Sequence, residues 1–352
     1  MKALDELVNQ PGAWLEVGKS GAIIVSSRVR LARNIAGASF PGWAGDDESL
    51  RLQGELLRVC TRLQSCPDPL VFEMAALSRM EKEILIERHL MSRDLGDRKK
   101  GSALILKRDE SIALMVNEED HIRMQALSPG LNLHELWQRI DSVDNEIESS
   151  LEYAFSTQLG YLTSCPSNVG TGIRASVMMH LPGLVLMNEI NQVIKAVNKM
   201  DLAVRGLWGE GTDAAGNMFQ ISNQSTLGET EQAIIGRLEK IVLEINDHEK
   251  NSRLRLLEQK ENQVRDHLGR AIGILTHAHM LNSKETLDML SALRLGIDLG
   301  LAPGWKQATI DELFLLIQPG HLQKLAGRAI GTEKRDLARA RLIRLRLLGK
   351  DV

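Results

Sequence analysis

The chain has 352 residues, 43% of them hydrophobic and 25% charged, with a formal net charge of −3. That length supports a full core and two domains, and the small net charge argues against a protein built wholly around nucleic acid. Aromatic residues amount to 3%, so aliphatic side chains and methionine must fill the interior. No apolar run reaches the roughly 18 to 20 residues that span a bilayer. Met1-Lys-Ala-Leu-Asp-Glu-Leu7 lacks the basic and apolar regions of a secretory signal. Cys60, Cys66 and Cys165 show neither a disulfide framework nor zinc spacing. A reduced, cytoplasmic protein is the simplest expectation.

Residues 1–20 read as a polar lead-in. Ala22–Val25 reads as a short strand that runs into Ser26-Ser-Arg-Val-Arg-Leu-Ala-Arg33. Asp46 and Asp47 are N-cap candidates for a helix through Gln64, and Ser78–His89 has the pattern of a second, amphipathic helix. Ala103–Leu106 and Ile112–Val116 form a hairpin across Lys107-Arg-Asp-Glu110. Asn132 to about Thr157 reads as one long helix, followed by a loop around Cys165 and a helix from Ile173. A further helix covers about Asn188–Lys199, and strands Ala203–Trp208 and Met218–Ser222 flank a glycine-rich loop at 209–217. From Glu229 the pattern is helical: Leu238–Leu268 is rich in Glu, Lys and Arg, with apolar residues three and four apart. Helices after Ser283, Thr309 and Thr332 follow, separated by Pro303-Gly304 and Pro319-Gly320. A mixed α/β domain followed by an α-helical one fits this pattern.

Chemistry concentrates at the ends of these elements. Arg28 and Arg30 alternate along an extended segment and so share a face. Arg123 follows the run Glu118-Glu119-Asp120, Arg174 falls in the first turn of the expected helix, and Arg205 ends a strand. Five such arginines could converge on one polyanion, because guanidinium forks suit phosphate oxygens. Any one of them taken alone is more often a surface ion pair. Neither a Gly-x-x-x-x-Gly-Lys-Ser/Thr loop nor a Gly-x-Gly-x-x-Gly turn before a helix is present, so arginines rather than a P-loop lysine would hold ATP. Glu118, Glu119 and Glu210 lie beside loops, and paired carboxylates can clamp a guanidinium. The plainer alternative is solvated acids at a strand end. Glu210 between two glycines leaves room for close substrate approach. Cys165 stands before Pro166 and upstream of the expected helix N-terminus, where the dipole favours a thiolate, although a lone cysteine is more often a small core residue. His89 could meet a purine or phosphate, or be a partly exposed helix histidine.

Four segments, Ser26-Ser-Arg-Val-Arg30, Asn117-Glu-Glu-Asp-His-Ile-Arg123, Cys165-Pro-Ser-Asn-Val-Gly-Thr171 and Arg205-Gly-Leu-Trp-Gly-Glu210, together resemble the phosphagen (guanidino) kinase family. They occur in order between about residues 21 and 251. Enzymes of the family that act on free amino acids carry a helical domain before the first motif. Here only 25 residues precede Ser26, and the additional helical sequence follows the catalytic region. That sequence contains Arg335-Asp-Leu-Ala-Arg-Ala340, similar to a phosphoarginine-sensing motif. The chain therefore resembles the protein-arginine kinase branch.

The resemblance implies an α+β fold: a catalytic domain over 21–251, with an antiparallel sheet flanked by helices, after the lead-in at 1–20. An α-helical domain over 252–352 would serve dimerisation and phosphoarginine sensing. It implies that Glu119 and Glu210, with Glu118 beside them, grip and deprotonate the guanidinium, with Cys165 close by. ATP would be bound by Ser26, Ser27, Arg28, Val29, Arg30, His89, Arg123, Arg174, Ala175, Ser176, Val177, Met178, Arg205, Gly206, Leu207, Trp208, Gly209 and Glu210. Mg²⁺ would be held mainly by the phosphates, with no metal ligand from the protein. Arg335, Asp336, Leu337, Ala338, Arg339 and Ala340 would form the allosteric phosphoarginine site. Ser167 and Val169 replace the Thr and Leu commoner in the free-substrate enzymes, Trp208 occupies a variable loop position, and no catalytic group is lost. The implied activity is transfer of the ATP γ-phosphate to arginine side chains of unfolded proteins or a transcriptional repressor. Such transfer would mark proteins for a Clp protease machinery or regulate the repressor. An activator protein and a homodimer are expected, and neither a membrane nor direct nucleic-acid contact. A small-molecule arginine kinase and a phosphoarginine-binding adaptor are the alternatives.

Overall fold

The computed structural model describes residues 4, 7–8, 12–15, 23–206 and 214–349. The chain divides into two compact units: Met1–Asn9, Ser26–Val177 and Ser222–Glu239 form the first, and Gln10–Val25, Met178–Ile221 and Lys240–Val352 the second. Among the described residues no helix is long and apolar enough to cross a membrane.

The first unit contains β1 (Ile24–Arg33, from Ser26), α1 (Asp46–Cys60), β2 (Leu70–Glu73), α2 (Arg79–Glu87), α3 (Arg93–Asp97), β3 (Ala103–Leu106), β4 (Ile112–Val116), β5 (Ile122–Pro129), α4 (Leu133–Glu148), β6 (Phe155–Ser156), β7 (Gly160–Tyr161) and β8 (Ile173–His180, to Val177). Its sheet order is β2-β3-β4-β5-β1-β8, and the pairs from β2 to β1 are antiparallel. The hairpin of β3 and β4 is as expected, and every residue of both strands is buried. Leu104, Leu106, Ala113 and Met115 belong to a cluster with Leu4, Leu7, Phe72, Ile84, Leu85 and Leu95. On β5 packs α4, whose Leu133, Leu136, Ile140, Val143 and Ile147 recur at three- and four-residue spacing and are all buried. Aliphatic packing of this kind gains about 25 cal/mol per Å² removed from water. It gives the site a rigid floor.

Several boundaries differ from expectation. Asp46 and Asp47 lie inside the first turn of α1, whose N-cap is Gly45; their charge favours the helix start through its dipole rather than by capping. Ser78 does cap α2, in a capping box with Glu81, but α2 ends at Glu87. Buried Arg88 donates to Glu110 (2.6 Å), and His89 follows with φ of +60°. The expected helix to Thr157 stops at Glu148, and β6 and β7 make a small hairpin beyond it. Residues 173–180 form a strand, not a helix, and all but Arg174 are buried.

The second unit contains α5 (Pro182–Leu186), α6 (Ile190–Asn198), β9 (Leu202–Gly206), β10 (Met218–Asn223, to Ile221), α7 (Glu231–His277, from Lys240), α8 (Ser283–Asp298), α9 (Gln307–Leu316), α10 (Pro319–Leu325) and α11 (Thr332–Leu348). The end of β8, β10 and β9 lie side by side in that order. Lys260, with φ −138° and ψ 26°, interrupts α7. Pro319 lies between α9 and α11 as expected, and it opens an additional short helix there, α10, in keeping with the fixed φ of proline at a first helical position. Buried ion pairs tie the elements together: Arg253 with Glu249 (2.7 Å) and Asp298 (3.1 Å), and Arg294 with Asp311 (2.7 Å). The antiparallel sheet with flanking helices and the helical C-terminal region are the expected α+β architecture.

Candidate active site

Strand register gathers the cations of the first unit. Arg123 on β5 lies opposite Ala32 on β1, and Gln125 opposite Arg30. Directly paired residues of an antiparallel ladder share a face, and alternate residues of one strand do too. Arg28, Arg30, Arg123 and Gln125 therefore stand on one face. Arg174 on β8 is close enough for its charge to act on both Arg28 and Arg30. Burial, then repulsion from Arg123 and Arg174, lowers Arg28 to about 10. Arg30 falls well below its usual value, first by burial and then through Arg28, Arg123 and Arg174. Its Nε is buried without a hydrogen-bond partner among the described residues. Four cations crowded on one half-buried face repel each other, and a polyanion would relieve them.

His89 joins the same face through Gln125, whose Nε2 donates to the His89 carbonyl at 2.7 Å. Burial, then the charge of Arg28, lowers the imidazole to about 3, so it is neutral at physiological pH. The other expected ATP contacts divide by face. Ser26 shares the face of Arg28 and Ser176 that of Arg174. Val29, Ala175 and Val177 alternate to the opposite face and are fully buried. Ser27 also points away and is committed to structure: its hydroxyl donates to Gly130 O (2.7 Å) and accepts from Asn132 N (3.2 Å). Any contact of these four with a nucleotide would run through backbone.

The acids sit in the tight turn between β4 and β5. Asn117 N donates to His121 O and Glu118 N to Asp120 O, with Asn117 at φ +52°. Glu118 is wholly buried and its two oxygens accept from Arg123 Nη1 at 2.8 and 2.9 Å. It also accepts from Ser92 Oγ and from Glu119 N (3.0 Å). Burial raises its pKa, but Arg123, Ser92 and the Glu119 N–H outweigh that and the net shift is downward. Glu118 is committed to Arg123. Glu119 is half-buried, and its pKa is raised, first by burial and then by Asp120 and, against Arg123, by Glu118 and Asp94. A carboxylate that holds its proton more firmly is the better acceptor of another group's proton.

Cys165 is half-buried at the start of a three-residue 3₁₀ turn, Pro166–Asn168, and its Sγ lies 3.1 Å from Ser167 Oγ. Beyond the turn comes β8, so the expected helix N-terminus beside the thiol does not exist. The loop is pressed against β1 by the bond from Ala32 N to Gly172 O (3.0 Å). Gly172 has φ +68°, and a Cβ there would lie 2.6 Å from Arg33 Nη1 and 2.7 Å from Ala32 O, so only glycine fits.

Met178, Arg205 and Gly206 belong to the second unit, and Arg205 is exposed on β9. Leu207, Trp208, Gly209 and Glu210 lie outside the described residues. Of the tail motif on α11, Arg335 donates to Ile330 O (3.0 Å) and Thr332 Oγ1 (3.1 Å). Arg339 is 1% exposed and donates to Ile317 O (3.0 Å), Leu281 O (2.7 Å) and Asp336 Oδ1 (2.5 Å). Leu337 is exposed and Ala340 buried. Gln125, Ser92, Asp120 and Ser164 were not among the expected site residues. Gln125 could have been found by counting two along the strand from Arg123.

Comparison with known proteins gives the family. Residues 59–252 match the model of the ATP:guanido phosphotransferase C-terminal catalytic domain, and residues 261–351 that of the protein-arginine kinase McsB C-terminal domain. The chain belongs to the ATP:guanido phosphotransferase family, in its protein-arginine kinase branch. A protein-arginine kinase of Moorella thermoacetica is 42% identical over 346 residues, 96% of this chain and 97% of that one. Another, of Halalkalibacterium halodurans, is 44% identical over 342 residues, 96% of each. Among solved guanido phosphotransferase structures, the substrate-free duplicated taurocyamine kinase of Schistosoma mansoni superposes with TM-score 0.58 at 24% identity, covering 75% of this chain and 39% of that one. Lombricine kinase gives 0.56 at 24% identity over 70% and 76%. These two likenesses support the fold.

Proposed function

We propose that this kinase transfers the γ-phosphoryl group of ATP to the guanidino group of arginine side chains in proteins. The observation that carries the reading is the face shared by Arg28, Arg30 and Arg123, with Arg174 in range and Glu119 close enough to feel the charge of Arg123. The arginines of the first unit bind and orient the triphosphate, joined by His89, and offset the charge of the phosphoryl group in flight; the family resemblance would give Arg205 the same task. Glu118 fixes the fork of Arg123. Glu119, with Glu210, grips the incoming guanidinium and accepts its proton as the nitrogen–phosphorus bond forms and the bond to ADP breaks.

That proton transfer is the difficult part. Arginine has a pKa above 12, and freeing its lone pair at pH 7 costs about 7 to 9 kcal/mol at roughly 1.36 kcal/mol per unit. Carboxylates placed in advance avoid a fully deprotonated intermediate. Cys165 assists orientation. A Mg²⁺ held mainly by the phosphate oxygens would neutralise phosphate charge.

The helical region from 252 onward would carry dimerisation and phosphoarginine sensing. Arg335 and Asp336 lie partly exposed at the start of α11, where an incoming phosphate could pair with guanidinium. A cytoplasmic enzyme acting on unfolded proteins or a repressor, with an activator protein and a Clp machinery downstream, completes the reading. Incubation with ATP, Mg²⁺ and an unfolded protein, followed by mass spectrometry under conditions that spare acid-labile phosphate, tests it. Phosphate on arginine supports it, and turnover of free arginine alone overturns it.

A further inference from the structure

Asp120 is the third acid of the run and has no role in the reading above. It is 1% exposed. Its Oδ1 accepts from Asn34 Nδ2 and from Ser164 N, both at 2.7 Å. Asn34 Nδ2 also donates to Leu162 O (3.0 Å), and Asn34 Oδ1 accepts from His121 N (2.9 Å). Ser164 Oγ in turn donates to Glu119 O at 2.7 Å, and Thr163 Oγ1 to Cys165 O at 2.8 Å. One carboxylate oxygen thus ties Asn34 and the Cys165 loop to the residue after Glu119, and Ser164 adds a bond to the Glu119 carbonyl itself.

The second oxygen, Oδ2, is buried with no hydrogen-bond partner among the described residues. For architecture alone this is wasteful. An asparagine would present the same Oδ1 acceptor to Asn34 and Ser164, without burying a charge only partly bonded. What asparagine would not supply is a fixed negative charge next to Glu119. We propose that Asp120 is a positioning residue of phosphoryl transfer: its Oδ1 locks the Cys165 loop onto the Glu119 backbone, and its charge acts on the Glu119 carboxylate. The inference rests on the reading of Glu119 as proton acceptor.

The surroundings of both acids agree with that assignment. Glu119 feels Asp120 and Glu118 from its own turn and Asp94 from α3, all raising its proton affinity beyond the effect of burial, against Arg123 alone. Asp120 itself faces Asn34, Ser164, the neighbouring His121 and Arg123. His121 is lowered chiefly by burial, against the charges of Asp120 and Glu48, so it does not cancel the Asp120 charge at neutral pH. Its Nδ1 accepts from Ile35 N (3.0 Å), which leaves Nε2–H to donate to Ser39 O (3.0 Å). That arrangement fits a neutral ring.

The test uses the full-length enzyme and three variants, Asp120→Asn, Asp120→Ala and Ser164→Ala. Three quantities are read: the pH profile of phosphoarginine formation on an unfolded protein, the carboxyl ¹³C titration of Glu119, and the alkylation rate of Cys165 by iodoacetamide. Asp120→Asn keeps the tether and removes the charge. Its Glu119 midpoint and the acid limb of kcat/KM should both move down by about one pH unit, with Cys165 alkylation unchanged. Asp120→Ala and Ser164→Ala release the tether and should change Cys165 alkylation at least severalfold. A wild-type Glu119 midpoint in Asp120→Asn overturns the proposal. So does wild-type Cys165 reactivity in Ser164→Ala, a variant that leaves every buried charge in place. Were the wild-type enzyme to form no phosphoarginine, the kinase reading would fall, while the Glu119 titration would still decide this inference.

Discussion

Arg123 turns a single nitrogen, Nη1, to both oxygens of Glu118, at 2.8 and 2.9 Å, on a face it shares with Arg28 and Arg30. The pair separates two acids that are adjacent in sequence. Glu118 is spent on holding a cation, and Glu119 is left for chemistry. Removing one partner of a buried pair leaves the other uncompensated, at about 3 to 5 kcal/mol. Glu118→Gln should therefore lower the denaturation midpoint and weaken ATP binding together. An unchanged midpoint in a urea titration would show that Arg123 finds its compensation elsewhere.

Glu119→Gln should behave in the opposite way. Loss of a general base costs about 10² to 10⁴ in rate, so kcat should fall by at least two orders of magnitude. The Glu119 pKa is raised in the fold. Its stabilising contribution is therefore complete below the ordinary glutamate value of about 4.3 and is lost as pH rises through the higher folded value. At pH 7 the ionised form is a liability, and the neutral glutamine should melt higher than wild type. The difference should vanish below about pH 4. A lower melting point for Glu119→Gln at pH 7 would contradict this sign.

His89 carries the reverse linkage. Its pKa is depressed to about 3, so its contribution to stability is present above the unfolded value of about 6.5 and is lost as pH falls from there toward 3. Calorimetry between these limits should show a shallower loss of stability in His89→Gln than in wild type. Parallel curves would mean that the imidazole does not stay neutral in the fold.

How much of this was legible beforehand depends on the interaction. Alternation places Arg28 and Arg30 together without any structure, because the pleat dictates it. Register adds Arg123 and Gln125, and register depends on partners far away in sequence. Residues 173–180 read as a helix in sequence although Ile173, Ala175, Val177 and Met179 alternate as in a strand; Met178 at an intervening position blurs that alternation, and the strand buries Ser176 and His180 as well. The left-handed turn at His89 follows from the anchoring of Arg88 by Glu110, which is 22 residues away. Asp120 looked like part of a charged surface run. Only its burial and its bonds to Asn34 and Ser164 distinguish it from its neighbours.

The tail motif divides in the same manner. Arg339 is buried and donates to two backbone carbonyls and to Asp336. Arg339→Ala should cost about 1 to 3 kcal/mol for the acceptors it strands. Arg335→Ala should leave the melting temperature within about 2 °C and blunt activation by added phosphoarginine. A normal activation curve for Arg335→Ala would remove that arginine from the sensor.

Cys165 lacks the helix N-terminus that its sequence context suggested, and what remains is proximity to Ser167 and the loop tethered by Asp120. Cys165→Ser should slow turnover without abolishing it, and by less than Glu119→Gln. Complete loss in a folded Cys165→Ser protein would assign the thiol a larger part than orientation.

The central claim is that a carboxylate at the β4–β5 turn faces an arginine-lined nucleotide site and activates a protein's guanidino group. Intact mass and peptide spectra of an unfolded acceptor protein after reaction with ATP and Mg²⁺ address it most directly. Phosphate on arginine, formed by wild type and absent with Glu119→Gln, is the expected result. Equal phosphorylation by both proteins, or none on any arginine, would contradict it.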